Sequence, residues 1–334
     1  MHSNTASDQP TTKRQRDPNR PLLSIVVPVF NEEDCLEALH QRLTEVFADL
    51  EDGYEIIFIN DGSRDRSAQI MRQLAERDPK VGYYSFSRNF GHESATSCGL
   101  ERANGQTVVI IDADLQDPPE VIHEMLERWR EGYDLIVGQR TKRDGETLLT
   151  KATSYLFYRL LSRVSEVEVP LDTGDFRLMD RSVVEAFNQL PERNRFVRGM
   201  IAWTGYRQTS VNYHRDARLA GATKYSFFKR LRLAFDAICG MSSEPLRWIN
   251  TLGMIVTLLS FTGGLVVFAE KLIFGIGIPG YAFQVIAMFL LSGVQLLTLG
   301  ILGEYIGRIY VEVRRRPLYF LAEQWDPRER HEGS

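Results

Sequence analysis

Thr107-Val108-Val109-Ile110-Ile111-Asp112-Ala113-Asp114-Leu115-Gln116-Asp117 decides the fold, because an apolar, β-branched run passes without interruption into a cluster of carboxylates. A short continuous apolar run reads as a strand buried on both faces. Carboxylates at its end are costly to desolvate unless a cation meets them. Asp112 and Asp114 lie two apart, so extended backbone would set their side chains on one side. There they could grip a hard divalent ion, Mg²⁺ or Mn²⁺, with the amide oxygen of Gln116 as a further ligand and a diphosphate filling the remaining positions. The same residues also suit an acidic turn that caps the helix after Pro118-Pro119.

Two upstream stretches repeat the pattern. Leu22-Leu23-Ser24-Ile25-Val26-Val27-Pro28-Val29 runs into Phe30-Asn31-Glu32-Glu33, and Tyr54-Glu55-Ile56-Ile57-Phe58-Ile59-Asn60 ends in Asp61-Gly62-Ser63. All three strands put polar residues at their carboxyl ends, which in an open parallel sheet form the crevice where ligands bind. Between residues 22 and 140 such strands alternate with helical stretches, Asp34 to Ala48, Arg66 to Arg77, Glu93 to Ala103 and Glu120 to Glu131, with further strands at Val81 to Phe86 and Tyr133 to Val137. This order predicts βαβ units, hence an α/β fold with a mostly parallel sheet.

Pro28-Val29-Phe30-Asn31-Glu32, Asn60-Asp61-Gly62-Ser63 and Asp112-Ala113-Asp114, in this order and spacing, resemble glycosyltransferase family 2. The resemblance spans about residues 22 to 245 and implies a GT-A nucleotide-sugar-binding domain. It implies that Pro28, Phe30, Asn31, Glu32, Asp61 and Asp112 contact the nucleotide, with Asp61 accepting from a base imide N–H such as uracil's. Without the resemblance, Asn60 to Ser63 reads as a plain turn. Ser87-Arg88-Asn89-Phe90-Gly91-His92-Glu93 follows another strand at the same edge; Arg88 and Asn89 suit either a nucleotide or sugar contact or a helix entry. Asp172-Thr173-Gly174-Asp175-Phe176-Arg177-Leu178 is similar to the corresponding segment of dolichyl-phosphate mannose synthases and bacterial polyprenyl-phosphate sugar transferases. Processive polysaccharide synthases carry Gln-x-x-Arg-Trp instead, and Glu244-Pro245-Leu246-Arg247-Trp248 has Glu where Gln belongs, which argues against polymerisation.

A phosphate monoester is already anionic near neutral pH, with a second pKa of about 6, so as an acceptor it needs a cationic seat more than a strong base. Arg140, Lys142, Arg143, Lys151 and Ser154 supply such a region. The resemblance assigns Arg140, Lys151 and Ser154 to the acceptor phosphate, with Arg215 and Lys224 from a second basic cluster, and places Asp175 against sugar hydroxyls or the metal shell. A solvated basic loop is the plainer reading of the first cluster. Attraction to anionic lipid is that of the second.

Composition sets the outer limits. The 334 residues, 43% hydrophobic and 25% charged with a net charge of −4, give room for one large domain plus an appendage and no case for a nucleic-acid partner. Cys35, Cys98 and Cys239 are too scattered for a disulfide framework or a zinc site. Residues 1–20 read as a disordered polar tail, 21–224 as the catalytic domain and 225–246 as a juxtamembrane amphipathic helix. Thr147 to Arg163 reads as a second amphipathic helix. Uncharged stretches predict transmembrane helices at 247–271 and 280–307, since about 20 apolar residues suffice to cross, and 308–334 reads as a cytoplasmic tail. Basic residues flank both spans on their outer sides, which puts both termini and the catalytic domain in the cytoplasm, and the resemblance implies that the membrane is a bacterial inner membrane. Gly293, Gly300, Gly303 and Gly307 suit close helix approach, within the hairpin or in a homo-oligomer. What the resemblance implies is inverting transfer of a hexose to polyprenyl phosphate, with UDP-glucose as donor and galactose, mannose or an amino-pentose as alternatives. A noncatalytic nucleotide-binding scaffold is the rival from another class.

Overall fold

The computed structural model describes residues 17–50, 53–140, 173–214, 244–274, 280–326 and 328. The described residues form two compact units: those up to 214 together with those from 317 onward, and those from 244 to 316.

The first unit is built on one eight-stranded sheet. Its elements in chain order are β1 (Leu23–Val29), α1 (Leu36–Val46), β2 (Tyr54–Asn60), α2 (Ser67–Arg77), β3 (Val81–Phe86), α3 (His92–Arg102), β4 (Thr107–Ile110), α4 (Val121–Arg130), β5 (Leu135–Arg140), β6 (Thr173–Asp180), α5 (Arg181–Asn188), α6 (Val197–Trp203) and β7 (Gln208–Tyr213), with β8 (Leu321–Trp325) near the C-terminus. The strand order is β7-β5-β6-β4-β1-β2-β3-β8. β6 and β8 run against all the other strands, so the sheet is mostly parallel as expected.

The uniform apolar runs have a direct cause, since β1, β2 and β3 are buried along their whole lengths. Alternate residues serve two cores. Ile25, Val27 and Val29 pack with Leu36, Leu39 and Leu43 of α1, Met71 and Leu74 of α2, and Ile122, Met125 and Trp129 of α4. Val26 joins the other face, with Ala95 and Cys98 of α3, Val183 and Phe187 of α5, and Val197 and Ile201 of α6. Helices on both faces leave the carboxyl ends of the parallel strands as the open edge.

β8 lies within the stretch 308–334 that reads as a tail. Tyr83 to Phe86 of β3 pair antiparallel with Leu321 to Trp325, so a sequence-distant segment covers what would be an exposed sheet edge.

The second unit holds α7 (Glu244–Phe274) and α8 (Tyr281–Arg314), which touch one another. α7 starts at Glu244, so residues 244–246, read as the end of the juxtamembrane helix, are continuous with the first expected span. Its stretch Ile249–Val266, of mean hydropathy 1.6, is long and apolar enough to cross a membrane, and it is the only such stretch among the described residues. The second expected span lies within α8, an unbroken helix over Tyr281–Arg314. Leu258, Phe261, Leu296 and Leu299 are exposed. A Cβ added at Gly293, Gly300, Gly303 or Gly307 would meet no described atom within 4 Å.

Candidate active site

The first half of the open edge is a knitted frame. Asn31, at φ 55°, turns the chain sharply after β1. Its backbone N–H donates to Ser63 Oγ at 3.0 Å, and its side-chain oxygen accepts the Arg64 N–H at 2.8 Å. Glu32 N–H donates to Ser67 Oγ at 3.0 Å, and Glu33 N–H to Asp65 at 3.2 Å. The loop after β1 and the loop after β2 therefore hold each other. Pro28 is buried within β1, whereas Phe30 is 45% exposed and presents its ring at the edge.

Asp61 extends the frame to the loop after β3. Its carboxylate accepts the backbone N–H groups of Phe90 at 2.6 Å and Gly91 at 3.0 Å, and the Asn89 amide at 2.8 Å. Asp61 is therefore a brace between loops, a role not read from its position in the sequence. Burial raises its pKa, and the bonds from Phe90 and Gly91 oppose that rise. Gly62 is required by the same close approach: at φ 66°, a Cβ there would lie 2.4 Å from the carbonyl carbon of Arg88.

The second half is a crowd of charges. β4 ends at Ile110, and Leu115 has φ 58°, so residues 112–115 form a turn in place of the extended strand that the two-residue spacing suggested. Asp114 Oδ1 accepts the Gln116 backbone N–H at 3.2 Å within that turn. The partner that faces Asp112 comes from β6. Ile110 pairs with Arg177 in the antiparallel register of β4 and β6, and continuing that register two residues sets Asp112 opposite Asp175.

Around this pair the structure gathers His92, the first residue of α3. Ligand atoms of His92, Asp112 and Asp175 all lie within 4.8 Å of one another. His92 Nε2 is 3.2 Å from Asp175, and Arg198 of α6 grips the same carboxylate with two bonds of 2.5 and 2.7 Å. Burial would raise Asp175, but His92 and Arg198 hold it well below the usual carboxylate range. Partial desolvation works against the charge on His92, yet Asp175, Asp112 and Glu93 raise it to about 9. Arg177 lies beneath them, 3% exposed, and donates to the Gly174 carbonyl at 2.9 Å; burial lowers it to about 10.

Asp117 is fully buried on the other side of the cluster, accepts the Tyr213 hydroxyl at 2.5 Å, and lies 3.9 Å from Arg140. Arg140 Nε also donates to Tyr213 at 3.2 Å. Its guanidinium lies over Gly174, where a Cβ would come within 2.6 Å. The structure thus brings Arg140 to the acidic cluster. Lys151, Ser154, Arg215 and Lys224, and the helices expected at 147–163 and 225–243, fall outside the described residues.

Asp112 tests whether this donor set suits a hard cation. Burial first, then the charges of Asp175, Asp117 and Asp114, push it up to about 6 against the pull of His92. Carboxylates forced together in this way repel one another, and a divalent ion bound through their oxygens removes that repulsion. The residues fit. Among the described residues Asp112 converges with His92 and with Asp175, which the resemblance places against sugar hydroxyls or the metal shell; His92 is the neighbour that sequence reasoning did not assign, while Asp114 and Gln116 lie on the adjoining turn. His92 was legible only as part of a loop after β3, and Arg198 carries no local signal at all.

An open, mostly parallel sheet whose carboxyl edge gathers carboxylates and guanidiniums beside a knitted polar frame is a GT-A-like architecture. Residues 24–187 match Glycosyl transferase family 2. The chain is similar to the glycosyltransferase YkcC of Bacillus subtilis (strain 168), with 47% identity over 90% of this chain and 94% of that one. It is also similar to the bactoprenol glucosyl transferase of Shigella phage SfII, with 42% identity over 90% of this chain and 97% of that one. The chain belongs to glycosyltransferase family 2. Among solved structures it is similar to glucosyl-3-phosphoglycerate synthase from Mycobacterium tuberculosis, with 21% identity and a TM-score of 0.44 over 66% of this chain and 80% of that one.

Proposed function

We propose that the protein transfers a hexose, glucose from UDP-glucose, to a polyprenyl phosphate at the cytoplasmic leaflet of a bacterial inner membrane, with inversion at the anomeric carbon. The observation that carries this reading is the acidic cluster of half-buried Asp112 with buried Asp114 and Asp117, with Arg140 beside it. It offers oxygens for a cation that a diphosphate can share, next to a guanidinium that can seat a second phosphate. The likeness to bactoprenol glucosyl transferases of Shigella phages supports the lipid acceptor and the sugar.

In this reading Phe30, Asn31, Glu32 and Asp61 shape the nucleotide pocket, and Asp112 and Asp114, with Gln116, hold Mg²⁺ or Mn²⁺. Such an ion stabilises charge on a leaving diphosphate as a Lewis acid. Asp175, locked in its ionised form by Arg198 and His92, faces the sugar. It orients hydroxyls and takes no proton. Arg140, with Lys151, Ser154, Arg215 and Lys224, orients the acceptor phosphate. One of that phosphate's oxygens forms the new bond to the anomeric carbon as the bond to the UDP oxygen breaks. α7 supplies one membrane span, and α8, whose exposed Leu296 and Leu299 need an apolar surround, supplies the second.

Membranes containing the protein, given a panel of nucleotide sugars and polyprenyl phosphate, test the reading by mass spectrometry of the lipid. A hexose added from UDP-glucose is expected. Product from another donor replaces the sugar assignment, and no product from any donor rejects the reading.

A further inference from the structure

We propose that Tyr319 and Phe320, in the strap that follows α8, are positioning residues of the active site: they fix the loop Ser87–Gly91, and through it the placement of His92.

That loop leaves β3 at Phe86 and enters α3 at His92, and its residues Ser87, Arg88 and Asn89 are exposed. Two clamps hold it. Asp61 grips it from the β2 side through the N–H groups of Phe90 and Gly91 and the Asn89 amide. The strap grips it from the other side. The Ser87 N–H donates to the Phe320 carbonyl at 2.9 Å, the Tyr319 ring stacks on Phe86 at 4.7 Å between centroids and 13° between planes, and the Phe320 ring meets Phe90 at 6.2 Å. Phe86 and Phe90 meet edge to face at 5.8 Å, so the four rings form one aromatic row under the loop. The Tyr319 hydroxyl adds a bond to Glu101 of α3 at 2.6 Å, tying the strap to the helix that carries His92.

The strap is itself fastened further along. Arg72 donates to Glu323 through two bonds of 2.9 and 2.6 Å, Tyr83 also bonds Glu323, and the Tyr84 hydroxyl donates to Asp326 at 2.8 Å. A strand that served only to cover the sheet edge would need these contacts alone. Tyr319 and Phe320 lie before the paired segment and turn instead to the loop and α3. Gly91, at φ 100°, then sets the direction in which α3 starts, so a shift of Ser87–Phe90 carries into His92 and its 3.2 Å contact with Asp175. The chain reaches this clamp directly from α8, which ends at Arg314. The strap thus fixes the catalytic loop at the point where the chain returns from its apolar helices.

The catalytic part of this inference rests on the proposed transfer reaction; the positional part does not. The full-length protein in lipid nanodiscs is compared with Tyr319→Ala/Phe320→Ala, Tyr319→Leu, Tyr319→Phe and Glu323→Gln, by hydrogen exchange across residues 87–92 and by kcat and KM for sugar transfer. The double variant is expected to exchange about tenfold faster over 87–92 with β1 and β4 unchanged. Its kcat should fall about tenfold, as displaced catalytic groups require. Tyr319→Leu should move both readouts the same way by less, which keeps the test alive if the double variant does not fold. Tyr319→Phe, which keeps the stack, should stay within about twofold of the parent. Glu323→Gln should leave exchange over 87–92 unchanged. Unchanged exchange over 87–92 in both Tyr319→Leu and the double variant overturns the proposal, as does an equal kcat loss in Glu323→Gln. Faster exchange in the variants of a parent that transfers no sugar would instead reject the reaction and leave the clamp standing.

Discussion

The two halves of the sheet's open edge solve opposite problems. Around β1 and β2, nearly every polar group named is answered by a neighbouring loop: Asn31 by Ser63 and Arg64, Glu32 by Ser67, Asp61 by Asn89, Phe90 and Gly91. Around β4 and β6 the carboxylates are only partly answered: His92 and Arg198 hold Asp175 and the Tyr213 hydroxyl meets Asp117, yet burial and the charges of Asp175, Asp117 and Asp114 push Asp112 up to about 6. The first half is finished as it stands, and in the proposed reading it holds the nucleoside without rearranging. The second is built at a cost in self-repulsion that, in the proposed reading, a divalent cation offsets. Ligand chemistry is thus written into the unrelieved half, and ligand position into the relieved one.

Substitutions should separate the halves cleanly. Asp112→Ala and Asp114→Ala are expected to lower transfer by roughly 10³-fold, the several kcal/mol that a cation supplies at a leaving diphosphate. Thermal stability should hold or rise, because each removes a repelling charge from the cluster. Near-normal turnover of either variant in excess Mg²⁺ or Mn²⁺ would break the contrast. Asp61→Ala should do the reverse in kind. It strands the Phe90 and Gly91 N–H groups and costs about 1–3 kcal/mol in denaturant midpoint measurements, with weaker UDP binding following from the loosened loops.

Arg140→Gln sharpens the assignment of the second half. If this guanidinium seats the acceptor phosphate, the KM for polyprenyl phosphate should rise about tenfold while that for the nucleotide sugar changes little. Equal changes in both would move Arg140 to the donor. Ser63→Ala is the mildest probe. It removes one exposed bond to the Asn31 N–H and should cost about 1 kcal/mol or less, seen as a small shift in melting temperature with kcat unaltered.

The strands were legible because a strand buried on both faces must be apolar throughout, and β1, β2 and β3 obey that rule. The polar residues ending them were legible for the same reason: nothing in a buried core needs Asn31, Asp61 or Asp112. The partners of those residues were less so. Asp175 meets Asp112 through an antiparallel register between strands far apart in sequence, and no local pattern announces that β6 inserts beside β4. Arg198 sits on a short helix with no motif around it, and its bidentate grip on Asp175 exists only once β6 and α6 are packed. The turn at 112–115 was legible only as the alternative to an extended strand end, because Leu115 takes φ 58°, a conformation its residue type does not advertise. β8 escaped because Leu321-Ala322-Glu323-Gln324-Trp325, behind two long apolar helices, reads as tail until β3 offers it an edge.

The account stands most directly on calorimetry of UDP binding to the full-length protein, with and without Mn²⁺, in the parent and in Asp112→Ala. The contrast between the halves predicts tight UDP binding in the parent only when Mn²⁺ is present, and weak, metal-independent binding in the variant, held by the β1 and β2 loops alone. UDP binding of equal strength with and without Mn²⁺ in the parent would contradict it.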